Sequence, residues 1–146
     1  MNTKATKFKT MLDKLKITAF QHEEVKDEFH SVIFRSNLEV KGQYFPLRII
    51  VDDSIYTMIR VFVLPHAAMK NKTKTVLEYF KGLNQKYKVF KYYISEQNDV
   101  VLDCCIPAGD AQFDPEMIRV LLDVILNHLG EEYDNMAKIV LGKEKS

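Results

Sequence analysis

The feature that most constrains the fold of this chain is the order of patterns between residues 83 and 129. Two strand-like segments, residues 89–94 and 100–106, are joined by a short polar turn. Asp114 and Pro115 then begin a helix, because Asp is a good N-cap and Pro at the first helical position loses no hydrogen bond. The chain therefore has to build a strand pair and a helix that packs on it.

Three further strand-like segments lie in the first half of the chain. Residues 32–40 and 45–51 alternate between apolar and polar side chains, which is typical of strands with one buried face. Residues 41–43 between them form a hairpin turn around a glycine, which reaches positive φ without a steric cost. Residues 55–64 are apolar on both faces, which predicts a central strand covered on both sides. Residues 21–27 are polar and are predicted to be a connection.

Three helices complete the pattern. Apolar residues three and four apart predict helices over residues 4–16, up to residue 86 from a cap at Asn71 or Thr73, and from residue 115 onward. Gly130 predicts a kink or break in the last helix, since glycine costs about 1 kcal/mol there relative to alanine. The order α-β-β-β-α-β-β-α predicts an α+β fold with a mostly antiparallel five-stranded sheet.

Length and composition limit the class of protein. The 146 residues predict a single domain over residues 1–146, with residues 142–146 as a frayed tail. No apolar run is long enough for a transmembrane helix, and the N-terminus lacks the apolar segment of a signal peptide. We therefore expect a cytoplasmic protein with no membrane partner, in which the adjacent Cys104 and Cys105 are free thiols.

Charge is unevenly distributed along the chain. Residues 1–91 contain 17 Lys and Arg against 9 Asp and Glu, whereas residues 92–146 contain 4 against 11. Such a division either orients a partner protein or reflects solvated surfaces that differ from each other. Both interpretations stay open, because charge of this kind constrains partners and not the fold.

Several short motifs in the second half of the chain occur in a recognisable order. They are Leu83-Asn84 at a helix end, Phe90-Lys91-Tyr92 and Val100-Val101-Leu102 in paired strands, and Ile106-Pro107 leading to Phe113-Asp114-Pro115-Glu116. In this order they resemble the YbjN family, described as bacterial sensory transduction regulators. The resemblance implies a fold like that of type III secretion chaperones and an intracellular role in binding other proteins. It implies no catalytic residue.

The residues that could carry chemistry form no recognised catalytic pattern. The best metal candidate is His128 with Glu131 and Glu132, three and four residues further on, although Gly130 disturbs their common helix face. An exposed polar helix face is the simpler interpretation of these residues. The chain has no glycine-rich phosphate loop and no nucleophile turn. The sequence therefore predicts a protein that is not an enzyme and that needs neither a metal nor a cofactor.

Two groups of residues are candidates for binding a partner. The first group consists of sheet residues on the side away from the helices, and we expect these to contact another protein: Tyr44, Ile50, Tyr56, Met58 and Phe62. The second group consists of lysines that would serve as a docking surface: Lys70, Lys72, Lys74 and Lys81.

Three functional hypotheses follow from these candidates. We expect a protein-binding module with a chaperone-like or regulatory role, acting on an unidentified client or as a homodimer. The alternative is a nucleic-acid-associated regulator that uses the basic and aromatic residues of segment 70–91. A small-ligand sensor with a cavity between the helices and the sheet is a further possibility. Whether helices, a second subunit or a client cover the second face of the sheet stays open.

Overall fold

Three helices and six strands make up the part of the chain that the computed structural model describes, residues 1–65 and 73–142. The elements in chain order are α1 (Thr3–Lys14), β1 (Gln21–Glu24), β2 (Val32–Val40), β3 (Gln43–Val51), β4 (Tyr56–Leu64), α2 (Thr73–Lys86), β5 (Lys91–Ile94), β6 (Val100–Pro107) and α3 (Pro115–Leu141). The strands form one antiparallel sheet in the order β1-β2-β3-β4-β6-β5. The predicted α+β class and the three helices are confirmed.

The predicted number of five strands is wrong, because β1 lies where a polar connection was expected. This strand is at the edge of the sheet and pairs only with β2, from Gln21 opposite Arg35 to Glu24 opposite Val32. All four of its side chains are exposed. A strand with no buried face has no apolar alternation, so backbone hydrogen bonds alone define it.

The predicted hairpin between β2 and β3 is confirmed. Val40 pairs with Gln43, so the turn consists of Lys41 and Gly42, whose φ angles are 52° and 79°. Positive φ at both central positions is the geometry that continues the twist of two antiparallel strands. This turn fixes the register of the whole β2–β3 pair.

All three helices pack on the same face of the sheet, which we call the inner face. Phe8 of α1 meets Phe34 of β2 edge to face, with ring centroids 4.8 Å apart. In α2, Phe80 stacks on Tyr92 of β5 at 5.5 Å. In α3, Tyr133 packs on Phe45 of β3 at 5.1 Å. No helix of the described chain lies on the second face of β4, so the question of what covers that face stays open.

Helix α3 runs from Pro115 to Leu141 without interruption, so the break predicted at Gly130 is wrong. Leu129 before the glycine and Met136 and Val140 after it are all buried. Burying side chains of this size stabilises by about 1.5–3 kcal/mol each, which exceeds the cost of about 1 kcal/mol for one glycine. The predicted N-cap is confirmed, since the Asp114 side chain accepts a hydrogen bond from the Glu116 amide.

Helix α1 is tied to the sheet by a buried lysine. Lys4 is fully buried, and its Nζ donates to the carbonyls of Ser54 and Tyr56, at 2.7 and 3.1 Å, and to the Thr57 hydroxyl at 3.2 Å. Burial lowers the pKa of Lys4, because removal from water disfavours the charged form. The amphipathic pattern of α1 did not distinguish this lysine from its exposed neighbours.

Two features concern the limits of the described chain. Gly142 ends α3 in left-handed geometry, while residues 143–146 of the predicted tail lie outside the described residues. None of the described helices combines the length and apolar character that a membrane crossing requires.

Candidate functional site

The sheet has a second face, formed by the side chains of β2 to β6 that point away from the helices, which we call the open face. It carries all five sheet residues that the sequence singled out: Tyr44, Ile50, Tyr56, Met58 and Phe62. Tyr44 and Tyr56 are 64% and 54% exposed, and the other three are half-buried. The structure thus brings these residues together on one surface.

Strand register arranges the apolar side chains of the open face in two rows across the strands. The first row contains Ile33, Ile50, Met58 and Cys105 on β2, β3, β4 and β6. The second row contains Phe62, Val101 and Tyr93 on β4, β6 and β5. On β4 the two rows are four residues apart, which corresponds to about 13 Å along the strand. The side chains of both rows are partly or fully exposed, except that Val101 in the second row is buried.

A row of three arginines lies between the two apolar rows. Arg35 on β2 is directly opposite Arg48 on β3, and Arg48 is directly opposite Arg60 on β4. Asp103 on β6 continues the row beyond Arg60. Like charges directly opposite each other in a sheet are destabilising, so this register has a cost that the fold has to offset.

Carboxylates offset the charge of the two outer arginines. Arg60 donates to both carboxylate oxygens of Asp103, from Nε at 2.8 Å and from Nη2 at 2.9 Å, in a partly buried position. These hydrogen bonds raise the pKa of Arg60. Arg35 donates to Glu23 on β1 at 2.6 Å. Strand β1, which the sequence did not predict, thus contributes the partner of one arginine.

In the described part of the chain, the central arginine has an aromatic partner and no acidic one. The guanidinium carbon of Arg48 lies 4.8 Å from the centroid of the Phe62 ring, within the range of a cation–π interaction. Among the residues that the structure describes, no carboxylate bonds to Arg48. Its guanidinium donors therefore remain available on the open face.

The two edges of the sheet are less accessible than its open face. At the β5 edge, the Asn84 side chain of α2 pairs with the backbone of Tyr92, accepting from its N–H at 2.8 Å and donating to its carbonyl at 3.1 Å. At the other edge, β1 has only four residues and carries Glu23 and Glu24. A blocked edge and a short, charged edge both disfavour the addition of a strand from another chain.

The predicted metal candidate is buried. His128 is only 5% exposed, so the interpretation of an exposed polar helix face is wrong. Its Nε2 is 2.6 Å from the Tyr92 hydroxyl, and the rings of Tyr87 and Phe90 lie with their centroids 4.5 Å from the imidazole. Burial lowers the pKa of His128 and so favours neutral imidazole. In the described ranges, no three His, Cys, Asp or Glu side chains converge as metal ligands would.

Glu132, one of the predicted metal ligands near His128, instead accepts hydrogen bonds from side chains of α2 and α3. The hydroxyl of Tyr79 donates to Glu132, and Asn135 donates to the same carboxylate at 3.1 Å. Burial and this carboxylate raise the pKa of Tyr79, so its hydroxyl keeps the proton that it donates. The network connects α2 to α3.

The lysine docking surface is only partly within the described chain. Lys74 and Lys81 are exposed on α2, seven residues and two helical turns apart. Lys70 and Lys72 lie outside the described residues. Lys91, within the same basic segment, donates to the carbonyl of Asn84 in α2 and to that of Tyr87 just after the helix.

An apolar cleft lies between α1, β2 and α3. Its walls include Ile17, Phe20, Leu122 and Leu126. The polar side chains at this cleft are partly or fully exposed, and none is buried where it would orient a ligand. The cleft therefore has less binding chemistry than the open face.

The arginine row is the feature that sequence reasoning missed, although a signal for it was present. A turn of two residues after Val40 pairs position 40 with 43 and therefore Arg35 with Arg48. The predicted turn of three residues, 41–43, would instead pair position 40 with 44 and Arg35 with Ile49, so the first arginine pair was missed. The pairing of Arg60 with Asp103 joins β4 to β6, and no local turn predicts it.

Comparison with known proteins does not assign the chain to a family. No protein-family model matches the sequence, and no curated protein is significantly similar to it. The geometry of the open face is therefore the main indication of function.

Proposed function

We propose that this chain is a non-enzymatic module that binds another protein on its open face. The observation that carries the proposal is the pair of apolar rows, which lie on the sheet without a described helix to cover them. Accessible apolar surface often marks a protein-binding site, and aromatic residues, methionine and arginine are enriched in such sites. The chaperone-like fold, the cytoplasmic location and the regulatory role that the YbjN resemblance implies are parts of the same proposal.

Binding through the face is favoured over binding through an edge. An extended partner that adds a strand needs free backbone groups along a sheet edge, and Asn84 occupies those of Tyr92. The open face offers side chains instead, with Tyr44 and Tyr56 as large amphipathic contacts at its rim. The nucleic-acid alternative, based on segment 70–91, stays a prediction of the sequence.

The test is capture of partners from native cell lysate with the tagged wild type and two double variants. Tyr56→Glu with Phe62→Glu places two carboxylates on the open face. Leu77→Glu with Val120→Glu is the matched control, because these side chains are equally apolar, about half exposed, and located on α2 and α3. Circular dichroism and thermal unfolding first establish that both variants are folded.

We expect a co-purifying protein that the open-face variant loses and the control variant retains. Equal retention by both folded variants would contradict binding on the open face. Equal loss of the co-purifying protein in both variants would also contradict it. Such a result would reflect the added negative charge, wherever it is placed, and not the open face.

A further inference from the structure

Resting on the proposed function, we propose that the open face recognises an acidic side chain on an amphipathic helix of a partner protein, and that Arg48 binds its carboxylate. The inference starts from the cost of the arginine row. Arg48 is opposite a like charge on both sides, at Arg35 and at Arg60. Each such pair is destabilising, and in the described chain the contact that offsets this cost for Arg48 is its cation–π contact with Phe62.

The two outer arginines of the row have carboxylate partners, and the central one has none in the described chain. Asp103 holds Arg60 in a two-point contact and Glu23 holds Arg35. Within the described chain, Arg48 alone has no carboxylate. A guanidinium forms two parallel hydrogen bonds with a planar carboxylate, so one acidic side chain from outside would complete an alternating arrangement.

The side chain of Arg48 is already held in place in the absence of a partner. Phe62 lies against the guanidinium at 4.8 Å and so limits its conformations. A side chain that is already oriented loses less entropy on binding. The apolar rows provide contacts on both sides of the carboxylate, about 7 Å away along the strands.

A helix fits this surface better than an extended segment does. A sheet face presents side chains and no backbone groups, so a bound segment has to satisfy its own N–H and C=O groups. In a helix, residues four apart are separated by about 6 Å along the axis, close to the row spacing of about 7 Å. The expected motif is therefore Asp or Glu with apolar residues three or four positions before and after it.

Other occupants match the charges less well. Two copies that met symmetrically at the centre of this face would bring their Arg48 side chains together. A second copy that offered its acidic helix α3 would do so from its opposite side, and such a head-to-tail contact does not close into a dimer. Nucleic acid would bring phosphates close to Asp103 and Glu23, which lie beside the arginines.

The test uses a phage library of 20-residue helical peptides with random residues on one face. The immobilised targets are the wild type, Arg48→Gln and Arg48→Glu, with Arg119→Gln as the matched control. Arg119 is an exposed arginine of α3, on the other side of the molecule, and is paired with Glu116. Selected peptides are then measured by fluorescence anisotropy, together with versions in which each Asp or Glu is replaced by its amide.

We expect the wild type to select peptides with the acidic motif. Arg48→Gln and amide replacement should each weaken binding about tenfold, while Arg119→Gln has no effect. The two changes together should weaken binding no more than either one alone. Arg48→Glu should abolish binding and regain it with a peptide that carries Lys in place of the acidic residue.

Contrary results separate the two proposals. Peptides that lose binding to Tyr56→Glu with Phe62→Glu, but not to Arg48→Gln, overturn the role of Arg48 and leave the binding face intact. Peptides that are insensitive to all of these variants, or no selected peptide, overturn the inference about an acidic helix. A 20-nucleotide single strand that binds through Arg48 in the absence of any binding peptide would replace the protein partner with nucleic acid.

Discussion

The arginine row predicts that Arg48→Glu stabilises the protein relative to Arg48→Gln. Both variants lose the cation–π contact with Phe62, so the difference between them isolates the charge at the centre of the row. Glutamate at this position would be directly opposite Arg35 and Arg60. An opposite-charge pair of this kind contributes roughly 0.2–1 kcal/mol, so two pairs give about 1 kcal/mol.

The expected stabilisation lies below the upper limit of this range, because the outer arginines already have carboxylate partners. Asp103 and Glu23 already neutralise part of the charge that the new glutamate would meet. For a chain of this size, about 1 kcal/mol corresponds to an increase in Tm of about 3 °C. The effect depends on salt, because exposed charges are screened over about 3 Å at 1 M ionic strength.

Urea unfolding of the two variants at low salt and in 1 M NaCl measures the difference directly. We expect the glutamate variant to have the higher free energy of unfolding at low salt, and the advantage to disappear in 1 M NaCl. Equal stability at low salt, or an advantage that persists in 1 M NaCl, would refute the electrostatic account of the row. A glutamate variant that is more stable than the wild type and no longer binds its partner would show that Arg48 is kept for binding at the expense of stability.

Three further predictions concern buried or reactive groups. Burial lowers the pKa of His128 below its ordinary value of 6.5, so the contribution of His128 to the free energy of unfolding is complete above that pH and decreases below it. The stability difference between the wild type and His128→Phe should therefore shrink as the pH falls from 7.5 to 5. A constant difference in urea unfolding would contradict this. Lys4→Met leaves three acceptors of Lys4 unpaired and should cost about 1–3 kcal/mol in the same assay, whereas an unchanged midpoint would show that these hydrogen bonds contribute nothing net. Burial raises the pKa of Cys104 to about 11, whereas Cys105 is exposed. A colourimetric thiol reagent at pH 8 should therefore label one thiol of the folded protein, and Cys105→Ser should abolish this labelling. Labelling of two thiols at equal rates would contradict the assignment.

The sequence predicted the elements that have a strong apolar period. Strands β2, β3 and β4 and all three helices follow from the spacing of their buried residues, because burial on one side of an element imposes its period on the side chains. The turn at Lys41 and Gly42 followed from local chemistry alone. The five candidate residues on the open face followed from the same alternation, as the positions left over when the inner face is filled.

The errors have a common physical origin. Strand β1 has no buried side chain, so nothing in its pattern distinguishes it from a loop. Gly130 was expected to break α3, and His128 was expected to lie on a polar surface. Packing against the sheet decided both cases, since it buries residues on either side of the glycine and encloses the histidine among aromatic rings.

By itself, the sequence determined which side chains alternate and that a hairpin around Gly42 joins β2 to β3, whereas the two-residue length of that turn, which places Arg35 opposite Arg48 in the arginine row, came from the structure. Only the tertiary structure decided that Arg60 joins the same row and that Asp103, 43 residues further on, neutralises it. The tertiary structure also decided that all three helices pack on one face of the sheet. Local periods are set by backbone geometry, whereas the choice of face and the pairing of distant strands depend on the total surface that the folded chain can bury.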